Sequence, residues 1–325
     1  MGTSEVTAIL TSPAATVAPE TSRFIKFRVV RIKFETLQEL AKSGIVTLVL
    51  ISVLGGYLIG QPSEGSFQPL RLLLTLLGVL FLASGSSALN QLQERHIDAT
   101  MPRTASRPLP SGRISYREAT LFIVLSLSLG LFLLSRISFS VLTLGFLAVV
   151  LYNGLYTLWW KKHWAYAAIP GAIPGALPIL MGYASARGSI TASGGWYLFF
   201  LLFFWQMPHF WVLALKYKDD YQKGGFPTLP VARGTGVTVS EISMWCVAYV
   251  ALAFMAPLFL PVGWIYLSVT SLMSIQVIRE LVAFTKAPES KKWLHFFLWV
   301  NFSLIAYIGA AAIDLWSFYL PAFWR

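Results

Sequence analysis

Cysteine is nearly missing from this chain of 325 residues, and acids and histidines are scarce. Cys246 is the one cysteine and sits inside an apolar run. That excludes a disulfide framework, a cysteine-based metal site and a covalently attached haem. Only 14 Asp and Glu and four His are available for metal or acid–base chemistry, so where the acids fall carries weight. Charged residues make up 12% of the chain and hydrophobic ones 56%, a balance that excludes a soluble globular domain.

What is abundant is the apolar run of membrane-spanning length, about 20 residues. Nine such runs are counted, at 43–60, 69–91, 117–135, 138–160, 164–184, 196–215, 238–260, 262–284 and 293–315. Backbone groups in hydrocarbon must be satisfied within their own segment, so all nine are expected to be helices. The expected fold is all-α: a polytopic membrane bundle of nine transmembrane helices in one domain, residues 41–325. Residues 1–40 form a separate N-terminal segment. Its first 22 residues are rich in Ser, Thr, Ala and Pro and read as a disordered tail, and 24–40 mix bases with apolar residues as a surface-lying helix does. Neither a cleavable secretory signal nor a mitochondrial presequence is indicated.

All but four of the 25 Lys and Arg fall before span one or after spans two, four, six and eight; the exceptions are Arg71, Arg136, Arg187 and Arg325. The positive-inside rule then places the N-terminus in the cytoplasm, or in the matrix of a mitochondrion, and the C-terminus outside. The net charge of +11 is a topology signal and needs no nucleic-acid partner.

The acids gather in two loops on that basic face. After span two, Asn90, Glu94 and Asp98 are spaced by four, which stacks them on one face of a continuing helix. Mg2+ takes a few carboxylate oxygens and completes its shell with phosphates and water, so such a ladder fits a diphosphate-bound metal. Arg95, Arg103 and Arg107 follow, the last two beyond the helix-ending Pro102. A plain solvated charge run would look the same in isolation. After span six the pattern returns: Lys216, Lys218, Asp219, Asp220, Lys223, then P-T-L-P at 227–230, echoing P-L-P at 108–110. The echo points to two four-helix repeats plus one helix.

Span four ends with Tyr152 and Tyr156 on one face, then Lys161 and Lys162. Tyrosine rings stabilise a nearby cation and lysines hold a leaving diphosphate, although an interfacial aromatic belt with snorkelling lysines has the same composition. Span five opens A-I-P-G-A-I-P-G-A-L-P, with Gly171 and Gly175 at close-packing spacing and prolines expected to bend or break the helix. His209, inside span six, is an intramembrane ionisable group, a candidate for the iron or a propionate of a haem or else a neutral interhelical partner. His96, His163 and His295 read as solvated or interfacial, and Asp314 as reaching the outer surface without chemistry.

Three segments together resemble the UbiA-type intramembrane prenyltransferases, from about Ala41 to the end. They are N-x-x-x-E-R-x-I-D-x-x-M-x-R-T-x-x-R-P from Asn90, Y-T-x-W-x-K-K from Tyr156, and P-H-F-W-x-L-A-x-K-Y-K-D-D-Y with G-G-F-P-T-L-P-V from Pro208. The resemblance is nearest to the members that farnesylate haem. It implies a UbiA-like fold, Mg2+ as cofactor, farnesyl diphosphate and haem B as substrates, and haem A synthase or oxidase-assembly proteins as partners, in a bacterial inner or mitochondrial inner membrane. Carried over by position, Asn90, Glu94, Asp98, Asp219 and Asp220 become the metal and diphosphate site. Arg95, Arg103, Arg107, Lys161, Lys162, Lys216 and Lys218 neutralise the leaving group, and Tyr156 stands near the reactive carbon. The chain departs from the usual pattern in carrying Glu94 where Asp is common, and Ser106 where Asn is common. Other expectations are prenyl transfer to a quinone precursor or a chlorophyll-type tetrapyrrole, and a secondary transporter, whose acids would sit nearer the midplane.

Overall fold

The computed structural model describes residues 33–61, 67–288 and 290–317. The expectations for residues 1–32 lie outside the described residues. Nine helices among the described residues are long and apolar enough to cross a membrane. Twelve α-helices are labelled in chain order. Helix α1 (Phe34–Ala41) precedes the first span; α2 (Ser43–Gly60), α3 (Pro69–Asp98) and α4 (Tyr116–Ser135) follow. The fourth span is composite: α5 (Phe139–Val149) runs into a π-helix at Val150–Trp160 and the short α6 (Lys161–His163). Then come α7 (Ala168–Arg187), α8 (Ser193–Lys216), the short α9 (Lys218–Lys223), α10 (Leu229–Phe254), α11 (Trp264–Lys286) and α12 (Lys292–Ser317).

Local chemistry sets several of these limits. Ser115 and Glu118 form a reciprocal capping box that starts α4 at Tyr116. At its start α11 is held by Asp314 of α12, whose carboxylate accepts from the N–H groups of Gly263 (2.6 Å) and Tyr266 (3.0 Å). Asp314 is thus buried as a helix cap and does not reach the outer surface as the sequence led us to expect.

The prolines of span five do not break it. α7 runs unbroken through Pro174 and Pro178 and is buried along most of its length between α2 and α8. Neighbours on both sides offset what the missing N–H groups cost. A Cβ on Gly182 would collide with the Val53 carbonyl of α2, so a glycine there is what lets the two backbones touch. Span seven also differs from expectation, starting at Leu229 where 238 was predicted and ending at Phe254. Gly234 (φ 82°, ψ 172°) kinks α10 early, and hydropathy alone does not see helix on the charged side of that kink.

At about 1.5 Å per residue, the 30 residues of α3 reach roughly 45 Å, against a hydrocarbon thickness of about 30 Å. The acids lie on the last turns of α3, past its apolar stretch. Lys42, between α1 and α2, is left-handed (φ 54°, ψ 52°) and is the one non-glycine residue with positive φ among the described residues. That conformation costs about 1–2 kcal/mol. The Lys42 N–H closes α1 on the carbonyls of Gln38 and Glu39, and Gln91 of α3 fastens the same turn by donating to the carbonyls of Glu39 and Leu40, both at 2.9 Å.

Candidate active site

The ladder on α3 is not a solvated charge run. Asn90, Glu94 and Asp98 are 3%, 2% and 0% exposed. Carboxylates that deep need partners, and each has a base. Lys161 donates to both oxygens of Glu94 (2.8 and 2.9 Å), and Nη1 of Arg107 donates to both oxygens of Asp98 (2.8 and 2.7 Å). Lys42 completes the set, its Nζ 2.7 Å from Oδ1 of Asn90. Burial is the main cause that pushes the Lys42 ammonium down to about 7, followed by repulsion from Arg107 and Lys161. In the sequence Lys42 reads only as one of the bases of the basic face. The one available clue was its place directly before the first apolar run.

The fourth span faces this ladder through three rungs, each joining residues 67 apart: Ser86 with Asn153, Asn90 with Thr157 (3.1 Å), and Glu94 with Lys161. Spans two and four run in the same direction, so a constant offset at four-residue steps is a parallel polar zipper. The upper two rungs lie on the π-helix, a winding found frequently at functional sites. Tyr152 and Tyr156 sit beside the zipper, their rings stacked at 5.9 Å and 16°. The Tyr156 ring lies over Gly171, where a Cβ would come within 2.6 Å of it.

The second acid segment meets the first. Arg103 points across to it, Nε 3.9 Å from Asp220 and the guanidinium 4.9 Å from the centre of the Tyr217 ring. Lys161 lies 4.4 Å from the Phe226 ring, and a Cβ on Gly224 would come within 2.7 Å of Met101 Sδ. Asp219 is exposed beside half-buried Asp220 on α9. Three helix ends and two long loops therefore gather four bases around three acids.

Other candidates stand apart from this cluster. Arg95 donates to the Leu92 carbonyl (3.0 Å) and lies over Tyr116. Lys216 lies over Trp293 of α12 at 5.3 Å, while Lys162 and Lys218 are half-buried next to Lys161 and Asp219. His209, on α8, packs among the rings of Trp205 and Phe210 of its own helix and Phe297 of α12, and its Nδ1 has no hydrogen-bond partner. His96, His163 and His295 are exposed.

Among the described residues no three His, Cys, Asp or Glu lie together as a ready metal cage. The donors do fit Mg2+ of a particular kind. Asn90, Glu94 and Asp98 offer hard oxygens from one helix face, too few to complete a shell without oxygens from a ligand.

A model of the UbiA prenyltransferase family matches residues 49–317. The chain belongs to that family. It is similar to the protoheme IX farnesyltransferase of Bdellovibrio bacteriovorus, 45% identical over 280 residues that cover 86% of this chain and 96% of that protein. The protoheme IX farnesyltransferase of Aquifex aeolicus is 38% identical over 279 residues, 85% of this chain and 94% of that one. Among solved structures, that of a digeranylgeranylglyceryl phosphate synthase is similar with a TM-score of 0.71 at 22% identity, covering 86% of this chain and 97% of that one. A UbiA homolog from Archaeoglobus fulgidus bound to GPP and Mg2+ gives a TM-score of 0.58 at 19% identity, with 86% and 99% covered. These structural likenesses establish the UbiA fold.

Proposed function

We propose that this UbiA-family chain transfers the farnesyl group of farnesyl diphosphate to the 2-vinyl group of haem B, making haem O. The observation that carries the site assignment is the convergence of Glu94, Asp98 and Asp220 with Lys161, Arg107 and Arg103 at one end of the bundle. The acceptor follows from the relatives, named protoheme IX farnesyltransferase in Bdellovibrio bacteriovorus and Aquifex aeolicus and 45% and 38% identical. Mg2+ is supported by the donor chemistry and by the Archaeoglobus fulgidus homolog bound to GPP and Mg2+.

Asn90, Glu94, Asp98, Asp219 and Asp220 would hold Mg2+. When bound, it neutralises charge developing on the diphosphate. Arg103, Arg107 and Lys161 take the phosphate oxygens, with Lys162 and Lys218 alongside and Arg95 and Lys216 at the rim. The bond between farnesyl C1 and the bridging oxygen breaks with its electron pair leaving on the diphosphate. The stacked Tyr152 and Tyr156 rings stabilise the allylic cation by about 0.5–2 kcal/mol. The vinyl π electrons form the new C–C bond, and water then adds with loss of a proton to give the hydroxyethylfarnesyl group. His209, with its unsatisfied Nδ1 in an aromatic slot, is the residue assigned to the haem.

The basic face supports an N-terminus in the cytoplasm, and the bacterial relatives support an inner membrane; haem A synthase and oxidase-assembly proteins are the partners this reading proposes. Purified protein given haem B, farnesyl diphosphate and Mg2+ is expected to yield farnesylated haem by mass spectrometry, and Asp98→Ala and Asp219→Ala to abolish it. Full turnover in both variants, still folded, would overturn the site; turnover only with a quinone-ring acceptor would overturn the acceptor.

A further inference from the structure

Each oxygen donor of the α3 ladder is engaged by its own tethered ammonium or guanidinium: Lys42 on Asn90, Lys161 on Glu94 and Arg107 on Asp98. The three bases come from three different places, the α1–α2 junction, the end of the π-helix and the loop after α3. Their positions are built in. Lys42 caps the end of α1 with its own N–H, next to the residues that Gln91 of α3 binds, and Lys161 is the last rung of the polar zipper. Arg107 lies nine residues beyond Asp98 in a loop fastened by the bond from Thr104 Oγ1 to the Asp98 carbonyl, 2.9 Å.

Such a site faces a free divalent ion with an electrostatic obstacle. The ion must displace a base from a buried acid, and the displaced base then has no anion to turn to. Arg103 likewise lies beside Asp220, so a lone cation meets Glu94, Asp98 and Asp220 already neutralised. A lone diphosphate meets the converse obstacle, since the bases it needs are taken and two buried carboxylates face it. A metal and a diphosphate arriving together remove both: the carboxylates turn to the metal and the bases to the phosphate oxygens.

Resting on the diphosphate reading of the same site, we propose that Lys42, Lys161 and Arg107 are cation stand-ins that hold the ladder in the free protein. They make metal and prenyl diphosphate bind as one coupled unit. Lys42 thereby becomes a positioning residue of the site.

The test uses the full chain in lipid nanodiscs, with Mn2+ as a paramagnetic probe of the same hard-oxygen class as Mg2+. Mn2+ binding is titrated by electron paramagnetic resonance without and with farnesyl thiodiphosphate, which ionises slowly, and the analogue is then titrated without and with Mn2+. We expect each ligand to tighten the other by the same factor, about tenfold or more, because linkage is reciprocal. Lys161→Met should raise Mn2+ affinity in the absence of the analogue and lower it in its presence, drawing the factor toward one. Lys42→Gly, which suits the left-handed backbone, should do the same more weakly while keeping the fold. Mn2+ affinities that agree within about twofold with and without the analogue in the wild-type protein would overturn the inference and leave the diphosphate reading intact. Analogue that fails to bind under either condition would overturn both.

Discussion

The two acid segments at the mouth of the bundle share a composition and differ in how they are held. Glu94 and Asp98 lie on a 30-residue helix, 2% and 0% exposed, each bound through both carboxylate oxygens to a base. Asp219 and Asp220 lie on the six-residue α9, one exposed and the other 3.9 Å from Arg103. The first segment is preorganised by folding, and its ion pairs belong to the stability of the bundle. The second is held by one long, partly exposed ion pair. Preorganised charge lowers the reorganisation needed during reaction, while an adjustable partner lets substrate enter. On the proposed function, one half of the site answers for fold and chemistry together, the other for chemistry alone.

Removing one acid from each half should break this contrast open. Asp98→Ala strands Arg107 against a buried site, and breaking a buried pair costs about 3–5 kcal/mol. Thermal unfolding of the detergent-solubilised variant should fall sharply, along with loss of farnesylation. Asp220→Ala is expected to lose turnover as well. Its ion pair is long and partly exposed, so the stability change should stay below about 1 kcal/mol. Equal unfolding shifts in the two variants would erase the distinction.

A one-carbon change sharpens it further. Glu94→Asp keeps the charge but draws the carboxylate back from Lys161, weakening a charge-assisted bond by about 1–2 kcal/mol. The reciprocal Asp219→Glu, on an exposed residue, should move stability by no more than about 0.5 kcal/mol. Unfolding midpoints of the two variants, compared in one lipid, check this.

Much of the architecture was legible in the chain. Apolar length gave all nine spans because hydrocarbon demands it, and the four-residue spacing of Asn90, Glu94 and Asp98 gave their common face. The missing parts are those that only tertiary pairing defines. Nothing local marks Ser86, Asn153 and Thr157 as rungs of a zipper, since small polar residues in an apolar run read alike whichever helix they face. Lys42 was hidden for a similar reason. Its side-chain partner Asn90 comes from α3, 48 residues away, and its left-handed backbone closes the end of α1, where a glycine would be the expected residue. Asp314 read as a surface acid because its partners, the N–H groups of Gly263 and Tyr266, come from another helix.

The smallest expected effect concerns how α1 is fastened to the preorganised half. Arg113, in the loop after α3, pairs with Glu39 of α1, and this hydrogen bond is the main cause that lowers the Glu39 carboxyl below its ordinary value of 4.5. A depressed carboxyl stabilises the fold above its unfolded pKa and loses that contribution as pH falls through the lowered value. Both side chains are well exposed, so the pair is worth only about 0.5 kcal/mol. Glu39→Gln should therefore shift the unfolding midpoint slightly at neutral pH, and the difference from wild type should vanish below the Glu39 pKa. A gap that instead widened on acidification would mean that α1 is not held by this contact, leaving Gln91 as its fastening to α3.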